Sequence, residues 1–170
     1  MRAHRFFACS ILFVLLVAAA PVALAGDHQT FGLGIVLGEP TGVSAKYFLT
    51  QNGALDFDLA FSLIESHLWF STDYLYHFGD LAPGAPGVLL RPYIGGGGII
   101  AGRDRDDDDH DRGRDRDDDE FGLAGRFTGG LSSLFTEVHL ELFIDGSVGV
   151  WIVPETDLNL GAVIGLRYFF

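Results

Sequence analysis

Residues 103–120 read RDRDDDDHDRGRDRDDDE: eleven acidic residues and five arginines in eighteen positions, with the hexapeptide RDRDDD starting at both Arg103 and Arg114. Carboxylates are the oxygen ligands that hard cations such as Ca²⁺ prefer. The spacing does not make a calcium loop. With Asp107, Asp109 and Asp111 as the first ligands, the turn glycine should be residue 112, which is Arg, and Glu120 misses the register of the closing ligand. The interspersed arginines compete as internal counter-ions. No metal ligand is assigned here. A charged, low-complexity segment cannot bury enough apolar area to fold alone, so the stretch reads as a disordered, solvated loop.

Other residue types that could do chemistry are sparse. Glu65, His67 and Ser71 are the acid, base and nucleophile types of a lipid hydrolase, clustered within seven positions. His77 and His139 alternate with apolar residues and read as interior hydrogen-bonding groups. Gly95 to Gly98 could suggest a phosphate loop, but no Lys-Ser/Thr follows it. It reads as a strand segment that allows close packing. The formal charge of −12 argues against nucleic-acid binding, because an acidic chain repels phosphates. No catalytic residue and no cofactor is assigned.

The elements that would position these residues begin after a leader. Arg2, His4 and Arg5 precede an apolar run from Ile11 to Ala20, and Ala23-Leu24-Ala25 fits a small-x-small cleavage site. The run is short for a spanning helix. Residues 1–25 are therefore expected to be a signal peptide and 26–170 one domain. Cleavage would take the formal charge to −14 and remove the lone cysteine, Cys9, which excludes disulfides and thiol chemistry in the remainder.

Beyond residue 25 the apolar pattern has period two. In DLNLGAVIGLRYFF, Leu158, Leu160, Ala162, Ile164, Leu166, Tyr168 and Phe170 share one face, opposite Asn159, Gly161, Gly165 and Arg167. In VHLELFIDGSVGVW, Val138, Leu140, Leu142, Ile144, Val148 and Val150 oppose His139, Glu141, Asp145 and Ser147. TFGLGIVLG, TGVSAKYFLT, ALDFDLAFSL, HLWFSTDYLYHF and FGLAGRFTGGL behave alike. VLLRPYIGGGGII is the least regular: Arg91 and Tyr93 are placed inside, Leu90, Ile94 and Ile100 outside, and Pro92 removes a ladder hydrogen bond. Eight strands result. Gln51-Asn52-Gly53 and the other turn-rich connections are too short for crossover helices, so neighbours should be antiparallel.

The apolar faces are too uniform to be the inside of a soluble barrel. The opposite faces mix Gly, Ala and Ser with Lys46, Arg91, Arg126 and Arg167 against Asp56, Asp58, Asp73, Glu141 and Asp145. Such a face suits a narrow lumen plugged by paired charges, and eight strands leave an interior that side chains just fill. In lipid, only a closed barrel satisfies every backbone group of a sheet. With the N-terminus in the periplasm, Phe31, Tyr47, Tyr76, Phe78, Phe127, Tyr168 and Phe170 form a lower aromatic girdle. Phe61, Phe70 and Phe121 form a thinner upper one, and residues 103–120 become an extracellular loop.

The ending IGLRYFF, with apolar or aromatic residues at 164, 166, 168 and 170, resembles the signal read by the barrel-assembly machinery of outer membranes. With GLGIVLGEPTGVSAKYF and RPYIGGGG, residues 29–170 are similar to the small eight-stranded outer-membrane β-barrels of the OmpA/OmpX-like family. The resemblance implies an all-β, up-and-down transmembrane barrel in the bacterial outer membrane. It further implies a structural or cell-surface interaction role and no catalysis. Expected partners are outer-membrane lipid, lipopolysaccharide and the assembly machinery, the last through Tyr168 and Phe170, and the protein should be a monomer. Deacylase barrels of this kind show a His-x-Ser motif, which is absent here. Two other readings stand beside this one: a soluble periplasmic lipocalin-like carrier, and an outer-leaflet lipid-modifying enzyme.

Overall fold

The computed structural model describes residues 30–61, 67–103, 120–153 and 156–170, the side chains of His67, Arg103, Glu120 and Phe121 excepted. The expected signal peptide, the interior of the acidic loop, and Glu65 lie outside the described residues. Eight strands form a closed, all-antiparallel barrel in sequence order: β1 Phe31–Glu39, β2 Thr41–Phe48, β3 Gly53–Phe61, β4 His67–His77, β5 Val88–Arg103, β6 Glu120–Phe135, β7 Leu140–Val153 and β8 Leu158–Phe169. Turns at residues 49–52, 78–87 and 136–139 mark one end, called here the turn end. The connection 104–119 leaves from the other, the loop end.

Alternation dictates which side of each strand faces out. Leu158, Leu160, Ile164, Leu166, Tyr168 and Phe170 point outward and are 40–66% exposed, while Arg167 and Phe169 between them are 1% exposed. The same split runs around the wall. Among the described side chains, Asp, Glu, Lys and Arg on the strands point into the lumen, except Glu39 at the end of β1 and Arg91, which stays at the turn end. The carrier reading, which needs apolar side chains inside and polar ones outside, has its faces reversed.

The strands β5 and β6 are longer than expected, sixteen residues each. As a result Phe127 lies at mid-strand, in register with Gly96 and Val148, and is not part of a girdle. The remaining lower aromatics do gather at the turn end. Phe31 is opposite Tyr47, and edge-on pairs join Tyr76 to Phe78 at 5.4 Å and Tyr168 to Phe170 at 5.1 Å.

Pro92 is accommodated inside β5, opposite Leu131. The Phe78 N–H donates to Pro92 O at 2.8 Å. The return bond, from an N–H that proline lacks, is replaced by the Arg91 side chain: its Nε donates to Phe78 O at 3.0 Å. Arg91 Nη1 also donates to Gln51 O at 2.9 Å, so this residue ties the β2–β3 turn to the ends of β4 and β5.

Candidate functional site: the lumen

The lumen is where this chain concentrates its ionisable groups. Strand alternation delivers Lys46 from β2, Asp56 and Asp58 from β3, Asp73 from β4, Arg126 from β6, Glu141 and Asp145 from β7, and Arg167 from β8, all buried. Each polar side chain therefore has to find its partners inside.

Two clusters do this. In the first, Glu141 accepts from Lys46 Nζ at 2.7 Å, from Ser132 Oγ at 2.5 Å and from Arg167 Nη1 at 3.2 Å. Arg167 Nη2 also meets both oxygens of Asp56 at 2.8 Å, and its Nε donates to Ser44 Oγ at 3.0 Å. The guanidinium carbon stacks 3.8 Å over the Phe143 ring. In the second cluster, Arg126 Nη1 donates to Ser71 Oγ at 3.0 Å, Nε faces Asp73 Oδ2 at 3.2 Å and Nη2 lies 3.8 Å from Asp58. Ser44 bridges the clusters by donating to Asp58 Oδ1 at 2.6 Å. Asp145 accepts from the Tyr93 hydroxyl at 3.0 Å.

Aromatic rings lie on both sides of these charges. Toward the turn end, Phe48 packs against His77 at 5.2 Å and Phe169 at 5.7 Å, and His77 against Tyr93 at 5.2 Å. Toward the loop end, Trp69 and Trp151 meet edge-on at 6.0 Å over Ile99 and Ala124. Phe143 sits between Arg167 and Lys46, and Gly165 makes room for it. A Cβ at residue 165 would stand 2.1 Å from the Phe143 Cζ atom.

The expected lumen ions Lys46, Asp56, Asp58, Asp73, Arg126, Glu141, Asp145 and Arg167 are brought together, while Arg91 stays at the turn end and serves backbone carbonyls. His77 is interior, as expected. His139 is not: it occupies the turn before β7 with φ 59°, and its ring packs on the outward Tyr168 at 6.3 Å. The turn residues 136–139 delay β7 by two positions and take His139 out of the alternation. Ser71 was grouped with Glu65 and His67 as a set of lipid-hydrolase residue types. Its side chain instead points inward, 1% exposed, and its hydroxyl is engaged by Arg126 and Asp58. A hydroxyl in that position cannot meet a lipid at the rim. Sequence reading missed Trp69, Phe143 and Trp151 as interior rings. Their signal was positional, since each occupies the polar phase of its strand.

Among the described residues no group of three His, Cys, Asp or Glu side chains is placed to hold a metal ion. The carboxylates meet arginine, lysine and hydroxyls instead.

No protein-family model and no curated protein matches the sequence. The structure is similar to the crystal structure of the N-terminal β-barrel domain of Pseudomonas aeruginosa OprF. The TM-score is 0.63 at 21% sequence identity, over 84% of this chain and 98% of that one. The resemblance to small OmpA-like eight-stranded barrels thus holds at the level of the fold.

Proposed function

We propose that this chain is an outer-membrane β-barrel protein whose role is structural or interactive at the cell surface rather than catalytic. Its lumen is plugged by the paired charges described above. One observation carries the reading: the polarity of the wall. Large apolar residues such as Leu160, Phe127 and Ile144 are more than half exposed, while Lys46 and Arg167 are buried. Water would reverse that preference, and a hydrocarbon surround explains it. Residues 1–25 would direct export. The wall would contact lipid and lipopolysaccharide, the strand end with Tyr168 and Phe170 would engage the assembly machinery, and the acidic stretch between Arg103 and Glu120 would face the outside as a solvated loop. The barrel needs no second copy to close, which suits a monomer.

Heat-modifiability tests this. The protein is expected in the outer-membrane fraction, and mild-detergent extracts should migrate differently on SDS gels before and after boiling. Recovery in the soluble periplasmic fraction with no such shift would overturn the proposal.

A further inference from the structure

We propose that His77 is an acid-sensitive latch at the turn-end mouth of the lumen, a role that rests on the closed-lumen reading above. His77 ends β4, and its N–H donates to Asn52 O in the adjacent turn at 2.7 Å. Its ring is held between Phe48 and Tyr93, each at 5.2 Å. Nε2 lies 3.5 Å from Lys46 Nζ. An ammonium group only donates, so Nε2 must accept, which puts the ring hydrogen on Nδ1. That Nδ1 is buried and has no hydrogen-bond partner.

The surroundings leave no place for a second ring proton. Lys46 from β2 and Arg91 from β5 bring positive charge toward the imidazole, and Arg91 Nη2 reaches the His77 carbonyl at 3.5 Å. Tyr93 from β5 offers its ring face, and β8 contributes Phe169 behind Phe48. Two carboxylates lie near Lys46: Glu141 from β7, already shared among Lys46, Arg167 and Ser132, and Asp56 from β3, in register with Lys46 and held by Arg167. Protonation would set two cations 3.5 Å apart. Either the ring or Lys46 then has to leave the mouth.

Any state in which His77 meets water takes up its proton near pH ~6.5, as an ordinary imidazole does. Proton linkage then raises the ratio of open to closed barrels roughly tenfold per pH unit below that point.

The test uses the purified, refolded full barrel in planar bilayers from pH 7.5 to pH 5. The native protein should be closed at pH 7.5, with its open fraction climbing about tenfold per unit below pH ~6.5. His77→Gln, which keeps a polar group but cannot take the charge, should give a flat profile. An equal slope in both proteins would overturn the latch. Should His77→Gln fail to fold, nitrogen NMR of the native protein labelled at histidine decides. A His77 ring that stays neutral, with its hydrogen on Nδ1, for as long as the lumen is closed supports the latch. An imidazolium in a still-closed barrel refutes it. Free conduction at pH 7.5 is a different failure, since it would remove the closed-lumen reading itself.

Discussion

Glu141 is the acceptor on which one half of the lumen converges. It holds Lys46, Arg167 and Ser132 while almost fully buried. Breaking a buried ion pair from one side leaves an uncompensated charge. Glu141→Gln should therefore lower the stability of the refolded barrel by roughly 3–5 kcal/mol, read from urea titrations in lipid vesicles. Lys46→Met combined with Glu141→Gln should lose less than the sum of the two single changes, because neither charge is then stranded. A packing prediction belongs to the same scale. Gly165→Ala places a methyl against Phe143, which is pinned between two cations and cannot yield, so a loss of about 1–3 kcal/mol is expected in the same titration. The ionic half of this site was legible in the sequence, because charges at alternate positions of apolar strands have only one interior to enter. The ring half was not. Trp69, Phe143 and Trp151 are apolar residues in the polar phase, and hydropathy alone cannot tell which face such a residue takes.

At the scale of the element, β5 shows how a strand survives proline. The missing donor at Pro92 is supplied by the neighbouring side chain, Arg91, which also anchors the β2–β3 turn. Arg91→Ala should free the Phe78 and Gln51 carbonyls at once. The expected result is faster amide exchange at Phe78 and Leu81, with a global loss of only about 1–2 kcal/mol, since the freed carbonyls lie at the barrel end where water can reach them. Existence, order and direction of the strands could be read from period two and turn residues. Lengths could not. The glycine and serine positions of β5 and β6 carry little hydropathy, so the pattern faded before the ladders did, and Phe127 was misplaced with them. Turn geometry was equally invisible at His139, where a positive φ keeps the residue in the turn and out of the alternation of the following strand.

At the scale of the whole molecule, the wall is the property to challenge. Val148 lies mid-strand in β7, outward and 46% exposed, level with Phe127 and Leu160. Val148→Arg should cost about 2–4 kcal/mol in lipid if that level is the bilayer midplane. A soluble barrel would carry the same arginine with little change, so unfolding in vesicles separates the two environments. The closure of the ring has a temporal consequence. β8 pairs with β7 on one side and with β1 on the other, and Phe170 N–H reaches Phe31 O at 2.9 Å. Ser44 receives Arg167 from 123 positions further along the chain. During synthesis the first strand therefore has an unsatisfied edge until the last one exists, and Lys46 and Asp56 wait for Glu141 and Arg167. Such a chain has little to gain from folding early and a long exposed edge to protect meanwhile. Its biogenesis should depend on escorts that keep it extended in transit, and removing β8 should yield aggregation or degradation rather than a smaller barrel.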